Sequence, residues 1–275
     1  MANKIQFSSQ QIEDIIHLYT SENMSIIKIA GLYNVGARPI KRILKENNIT
    51  IKKNDFYQKK TFNKNFFDNI DTEEKAYWLG FIYADGCVSH RKTTDVFEIK
   101  LSEKDKVHLE KLKLALNSEH LIGTHISSCG YNTGKKYCSF SIVNQHLVDS
   151  LVEKGVLYCK THILEFPSEI QVPQNLINHF IRGYFDGDGS VYRLEENGVG
   201  GMSFVGTKNM LEGILSEFKR IIPTTTQIYK YKNKDVYDLK IGGSNYLKQC
   251  YEFLYNNATI FLERKKNKFD EILNK

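Results

Sequence analysis

The chain has 275 residues, enough for one or two domains with cores of their own, and 38 Lys and Arg against 32 Asp and Glu leave it mildly basic. Its five cysteines (Cys87, Cys129, Cys138, Cys159, Cys250) are odd in number and show no Cys-x-x-Cys pair, and the histidines form no zinc-type cluster. These counts exclude a disulfide-stapled scaffold and a zinc module and point to a reduced, intracellular protein in the cytoplasm or an organelle matrix. A polar beginning without an apolar signal core, and no run approaching 18 apolar residues, leave secretion and membrane spanning unexpected.

The first 50 residues carry three short helical patterns. Ser8 or Ser9 can cap a first helix with Ile12, Ile15, Ile16 and Tyr19 at helical spacing, and Ser25 a second with Ile26, Ile29, Ala30 and Tyr33. After the turn Asn34-Val35-Gly36, a third helix runs from Ala37 to Asn47, with Pro39 in its first turn and Ile40, Ile43 and Leu44 inward. Arg38, Lys41, Arg42 and Lys45 are left outward. The arrangement resembles a helix-turn-helix of the resolvase or homeodomain-like kind, which would place the third helix in the DNA major groove; a plain three-helix module is the alternative. From Arg38 to Lys64 nine basic residues, continuing with Lys52, Lys53, Lys59, Lys60 and Lys64, face two acids, Glu46 and Asp55, so this window holds +7 and the rest of the chain −1. Such focusing suits a polyanion, although a lysine-rich linker also fits. Residues 51–70 read as a basic, aromatic tether along DNA, ending at a capping-box-like start on Asp71 and Glu74.

Two later stretches say the same thing. Trp78-Leu79-Gly80-Phe81-Ile82-Tyr83-Ala84-Asp85-Gly86 returns as Ile181-Arg182-Gly183-Tyr184-Phe185-Asp186-Gly187-Asp188-Gly189, at a shift of 103 residues. Each reads as a buried helix ending in a carboxylate and a glycine stop of the left-handed kind. Gly80 with Ala84, and Gly183 with Gly187, are four apart on one face, where missing side chains let two helices approach closely. Packed side by side in one direction, the helices bring Asp85 and Asp188 together against the negative ends of both dipoles, a disposition that calls for a cation. Ordinary capped core helices remain the alternative for one segment alone; a domain-sized repeat argues against it.

Around the repeats the elements also recur. In the first half, 71–165, a hairpin of residues 88–90 and 95–101 precedes a helix from Ser102 to Leu116 with Val107, Leu109, Leu112 and Leu116 inward. A second hairpin, 121–128 with 136–143, and a helix over 144–155 follow. In the second half, 166–275, the hairpins fall at 190–192 with 202–205 and at 227–232 with 235–241. The helices there are 208–221, 246–255 and 262–273. Each half is therefore α-β-β-α-β-β-α, an α+β class. Outward strand residues, including His90, Arg91, Lys92, Lys100, Arg193, Lys230 and Lys232, would line a DNA duplex on a saddle of two half-sheets.

The paired stretches resemble the two motifs of the single-chain LAGLIDADG homing endonucleases. Departures are mild. Trp78 and Ile181 replace the leading leucine, Leu79 and Arg182 the next alanine, and Tyr83 the sixth-position acid that Asp186 keeps. The resemblance implies a monomer with internal pseudo-two-fold symmetry and a helix interface at Gly80, Ala84, Gly183 and Gly187. Asp85 and Asp188 would be its metal-binding catalytic acids, holding Mg²⁺ or another divalent cation such as Mn²⁺, a role that one or two carboxylates suit. The family also places a lysine about one half-domain beyond each acid. Lys160 lies 75 residues after Asp85 and Lys265 lies 77 after Asp188, with Lys266 a rival. The implied activity is site-specific cleavage of a long asymmetric double-stranded DNA target, leaving short 3′ overhangs, by an intron-encoded or free-standing enzyme. An intein is disfavoured because flanking splicing residues are lacking. An RNA maturase for intron splicing, or a non-catalytic DNA-binding regulator on the same fold, are the alternatives.

Overall fold

The computed structural model describes residues 5–51, 60–91, 94–128, 133–194, 198–232 and 235–274. The chain divides into two compact units, residues 1–60 and 61–275. No helix among the described residues is long and apolar enough to cross a membrane.

In the first unit, α1 (Ser9–Thr20), α2 (Ile26–Leu32) and α3 (Ala37–Glu46) enclose a small core of Ile15, Tyr19, Ile26, Ile29, Ala30, Ile40, Ile43 and Leu44. Ser8 caps α1 in a reciprocal box. Its hydroxyl accepts from the Gln11 N–H, and the Gln11 side chain accepts from the Ser8 N–H. Asn34 turns the chain between α2 and α3 in the left-handed region, at φ 52°.

The second unit begins earlier than the repeat suggests. Phe66 and Phe67 are core residues, Phe62 packs against that core and edge-on to His120, and Thr61 and Glu119 exchange hydrogen bonds. Of the aromatic residues expected on a DNA tether, Phe62, Phe66 and Phe67 therefore belong to the first half, because their rings are worth more buried than exposed, while Phe56 and Tyr57 lie outside the described residues. Lys52, Lys53 and Lys59 lie outside the described residues.

The two halves repeat one topology. The first holds α4 (Glu73–Asp85), β1 (Gly86–Arg91), β2 (Thr94–Ser102), α5 (Lys106–Ala115), β3 (Gly123–Ile126), β4 (Lys136–Val143) and α6 (Gln145–Glu153). The second holds α7 (Ile177–Asp188), β5 (Ser190–Arg193), β6 (Gly200–Gly206), α8 (Lys208–Lys219), β7 (Ile228–Lys230), β8 (Tyr237–Gly242), α9 (Ser244–Tyr255) and an added α10 (Glu263–Leu273). Both sheets are antiparallel, in the orders β1-β2-β4-β3 and β5-β6-β8-β7. Alternation puts Phe97, Ile99 and Leu101, and likewise Leu239 and Ile241, in the core.

Three local expectations are corrected. Thr72, not Asp71, caps α4, its hydroxyl accepting from the Lys75 N–H, while Asp71 pairs with Lys75 at 2.8 Å. On α5, Val107 is exposed and His108 takes the buried place, since a preceding 3-10 turn over Glu103–Asp105 shifts the phase of the helix. The glycines after the motif helices are not left-handed caps. Gly86 (φ −78°, ψ 159°) and Gly189 (φ −80°, ψ 167°) run straight from helix into strand. They are required for space: a Cβ on Gly86 would stand 2.8 Å from the Ile82 carbonyl oxygen, and one on Gly189 2.6 Å from that of Phe185.

Helices α4 and α7 pack on each other in the same direction, at backbone contact. A Cβ on Gly80 would stand 2.0 Å from the Phe180 carbonyl oxygen, and one on Gly183 2.0 Å from that of Tyr77. Tyr77 and Phe180 are themselves related by the 103-residue shift, so each glycine admits the other helix's equivalent turn. One core runs through both halves. Replacing Gly183 by Ala forces these backbones apart and should destabilise the second unit by about 3 kcal/mol in chemical unfolding, the upper range for overpacking; a loss within about 0.5 kcal/mol, the range of an indifferent surface change, would show that the helices are not in contact there.

Candidate active site

The close crossing sets where the two acids stand. Asp85 and Asp188 are the last residues of α4 and α7, and a Cβ on Gly187 would meet Ala84 Cβ at 2.3 Å and Asp85 Oδ2 at 3.2 Å. Asp85 is half-buried and Asp188 exposed. Desolvation pushes the Asp85 carboxyl up to about 6, with the Asp188 charge adding to it and Lys160, Lys265 and Arg264 opposing. Desolvation also raises Asp188, again against Lys160 and Lys265.

Two lysines answer the carboxylates and the helix ends. Lys160 Nζ donates to the carbonyls of Ile82 (2.7 Å), Tyr83 and Ala84 (2.9 Å), so its three donors are spent on the last turn of α4. Lys265, buried, donates to Phe185 (3.0 Å) and Gly189 at the end of α7. Both sit where the helix dipoles favour a cation, satisfying carbonyls that the helices leave unpaired. Desolvation pulls both ammonium groups down to about 8, against the pull of the acids. Lys266 instead pairs with Asp270 at 2.9 Å and lies over the Tyr251 and Phe261 rings. Cys159, in the left-handed region at φ 55°, turns the chain immediately before Lys160.

Tyr83 and Asp186, the unlike pair at the sixth motif position, are both buried and have structural partners. Tyr83 donates to the Lys154 carbonyl at 2.6 Å. Asp186 accepts from Tyr77 (2.8 Å), Tyr255 (2.7 Å) and the Leu262 N–H (2.7 Å). Next to it, fully buried Arg182 donates to Ile260, Leu254 and His179, and pairs with Glu73 at 2.7 Å. Arg264 and Asp105 add a bidentate pair between the halves at 2.7 and 3.0 Å. Sequence reasoning missed these partners. Arg182 in an otherwise apolar motif was the one visible signal, since a buried arginine requires a carboxylate.

The expected DNA-facing residues divide. Register and burial place Arg91 and Lys100 on the sheet face away from the helices, Lys100 beside Glu98 at 2.8 Å. His90, Arg193 and Lys230 instead share the phase of Val88, Val191 and Ile228, which face the core, not the open face. His90 pairs with Asp95, Arg193 donates to the Ile272 carbonyl at the end of α10, and Lys230 pairs with Asp235 at 3.0 Å. Lys240, not singled out from sequence, joins the open face beside Asp238 at 3.0 Å. Lys232 is exposed in the β7–β8 turn, Lys60 is exposed, and Lys92 lies outside the described residues. In the first unit Arg38 and Lys45 are exposed and Lys41 half-buried, while Arg42 donates to the Ile5 carbonyl at 2.8 Å and lies 3.8 Å from Glu46.

Among the described residues no cluster of three or more His, Cys, Asp or Glu could hold a metal ion. The Asp85 and Asp188 pair fits a hard divalent cation of the Mg²⁺ kind, which takes one or two carboxylates and completes its shell with water and phosphate oxygens. A tightly chelating zinc or calcium site would need more protein ligands than these.

A family model described as "LAGLIDADG-like domain" matches residues 72–154 and again 175–254. Two solved structures of Meganuclease I-SmaMI bound to uncleaveable DNA, one with a TTGT and one with a TTCT central four, superpose with TM-scores of 0.51 and 0.50. Each is 12% identical and covers 72% of this chain, with 87% and 88% of the meganuclease chain covered. At that identity the likeness is one of fold. A curated relative, a probable translation initiation factor IF-2 of Methanocaldococcus jannaschii, is 27% identical over 210 residues. Those residues are 72% of this chain and 16% of the factor's length.

The raised Asp85 carboxyl has a stability consequence. Because the folded protein holds that proton more tightly than the unfolded chain, ionisation costs stability as pH rises from about 4 through about 6, and the cost is full at pH 7. Asp85→Asn should therefore stabilise the metal-free protein by about 1 to 2 kcal/mol at pH 7, with the gap closing below about pH 4. Denaturant titrations at the two pH values measure it; a variant less stable at pH 7 would contradict the assignment.

Proposed function

The chain belongs to the LAGLIDADG family, in its two-repeat, single-chain form, and from that premise we propose that it is a site-specific double-stranded DNA homing endonuclease. The observation that carries the proposal is the pairing at the helix ends. Each motif helix finishes in a carboxylate, and each end is capped by a lysine recruited from 75 to 77 residues further along. Repelling acids at negative helix ends are costly to a purely structural protein, so their presence in both halves supports hydrolysis over passive binding.

The proposed substrate is a duplex lying along the open faces of the two sheets, with Arg91, Lys100 and Lys240 against its phosphates. Exposed pairs such as Lys100 with Glu98 are weak, so a phosphate can displace the carboxylate. Divalent metal bound at Asp85 and Asp188, Mg²⁺ in the first instance, would supply charge to activate water and to stabilise the leaving oxygen. The protein's own groups do the rest. Asp85 and Asp188 orient the water, and Lys160 and Lys265 hold positive charge beside the phosphate while keeping the helix ends fixed. The water oxygen bonds to phosphorus as the bond to the 3′ oxygen breaks. The water's protons are divided between solvent and the leaving oxygen, giving a 3′ hydroxyl and a 5′ phosphate on each strand, with short 3′ overhangs. The protein acts as a monomer, each half serving one strand.

The reading is tested on DNA from the insertion-free neighbourhood of the protein's own gene, with and without Mg²⁺. Cutting at one site with Mg²⁺ alone is expected. Asp188→Asn should lose the cut in at least one strand while still binding the target in Ca²⁺. Full cutting by this variant would remove the proposed site, and tight binding without cutting by the wild type would favour a regulator.

For residues 1–50 we propose a helix-turn-helix that adds contacts through Arg38, Lys41 and Lys45 on α3, the basic helix of a unit with its own core. Deleting residues 1–55 should weaken target binding and its salt dependence without changing single-turnover cutting at saturating protein. Loss of cutting by a folded deletion protein would place the unit in the chemistry instead.

A further inference from the structure

The segment that carries each lysine is tied at both ends of the strand that follows each acid. In the second half α10 lies along β5. Lys265, in the first turn of α10, donates to the Gly189 carbonyl where β5 begins, and Arg193, the last residue of β5, donates to the Ile272 carbonyl in the last turn of α10 at 2.6 Å. In the first half Lys160 donates to the Ile82, Tyr83 and Ala84 carbonyls shortly before β1 begins. Near the far end of β1, His90 donates through Nδ1 to Asp95, and Asp95 accepts from the Tyr158 hydroxyl at 2.9 Å, close before Lys160 in the chain.

His90 and Arg193 are themselves related by the 103-residue shift of the motifs, and both turn away from the open face of their sheets. Their chemistry differs because their cross-strand partners do. His90 stands opposite Asp95, a buried carboxylate that also accepts from Gln145 at 2.8 Å, whereas Arg193 stands opposite Gly200, which offers no carboxylate. The arginine instead reaches a helix-terminal carbonyl, where the dipole favours a cation. Packing alone does not fix the chain at Lys160. Val156 and Leu164 are buried on either side, but Tyr158, Cys159, His162 and Ile163 between them are exposed, so the Tyr158 hydrogen bond is what tethers the chain just before the lysine.

We propose that Tyr158, held by Asp95 and His90, and Arg193 are positioning residues: they fix the backbone from which Lys160 and Lys265 reach the ends of α4 and α7, and so set where each ammonium stands beside the acids. None of them touches the reacting phosphate. The side chains have diverged between the halves while the attachment at both strand ends is kept, which points to the placement of the lysines as the common need. The catalytic consequence rests on the endonuclease reading above; the attachment itself does not.

The test uses the full, metal-free chain and trace acetic anhydride, with lysine labelling read by peptide mass spectrometry against exposed Lys208. Lys160 and Lys265 should label slowly in the wild type. Tyr158→Phe should speed labelling of Lys160 alone by about tenfold, the worth of one hydrogen bond to a charged group, and Arg193→Met that of Lys265 alone. Arg193→Lys, which keeps a donor for the Ile272 carbonyl, should return Lys265 to the slow rate. With target DNA and Mg²⁺, Tyr158→Phe and Arg193→Met should each slow single-turnover cutting at saturating protein by a similar factor while binding in Ca²⁺ is unchanged. Labelling that stays slow in both variants, or that rises at both lysines in either one, would overturn the positioning role. Weakened binding with an unchanged cutting rate would make these residues DNA contacts and overturn it as well. If labelling shifts as expected and the wild type cuts no DNA, the positioning of the lysines is upheld and the endonuclease reading alone fails.

Discussion

Everything in the second unit depends on two helices meeting at backbone distance. Gly80 and Gly183 allow it, each admitting the carbonyl of the opposite helix into space that a methyl group would fill. Dispersion and close packing reward that contact, and the hydrophobic residues on either side, among them Phe81, Ile82, Phe180 and Phe185, extend it into one continuous core. Because the helices run in the same direction, their C-terminal ends arrive together. A shared centre at those ends is thus a consequence of packing before it is a matter of chemistry.

That convergence is electrostatically unfavourable on its own. Two carboxylates and two negative helix ends occupy one region, and burial raises both acids. Lys160 and Lys265 relieve part of the cost by donating to the terminal carbonyls, at the expense of their own desolvation. The same lysines therefore have a structural reason to be present and a position suited to phosphate chemistry. Stability elsewhere is supplied by groups that bridge the halves, the Glu73–Arg182 pair beneath the helices and the Asp105–Arg264 pair beside them. The first of these, with its arginine fully buried, is strongly destabilising to break, which ties the relative position of the halves to particular side chains.

The repeat, the half-domain order and the candidate acids were legible because each rests on a local pattern: small residues four apart, a terminal Asp-Gly, and alternating strands. Phe62, Phe66 and Phe67 were misplaced because an aromatic residue beside lysines looks the same in a DNA tether and in a core edge; only the partner surface decides, which for Phe62 is brought by His120. The glycines after the acids illustrate a different limit. Their presence was legible, their reason was not, since a left-handed cap and a tight helix-to-strand passage demand the same residue. Arg193 and Lys230 were assigned to the wrong face because register, which sets every side chain's side, depends on pairing partners distant in sequence. Arg182 and Arg264 gained meaning only when Glu73 and Asp105 arrived from the other half.

The central claim is that Asp85 and Asp188 form one metal-binding centre between paired helix ends. Anomalous diffraction from a crystal of the protein soaked with Mn²⁺ in complex with its DNA target tests it most directly. The account predicts manganese bound to the carboxylates of Asp85 and Asp188, with phosphate oxygens completing the coordination and Lys160 and Lys265 still on the helix-terminal carbonyls. Manganese bound elsewhere on the protein, with both carboxylates free of it, would contradict the account.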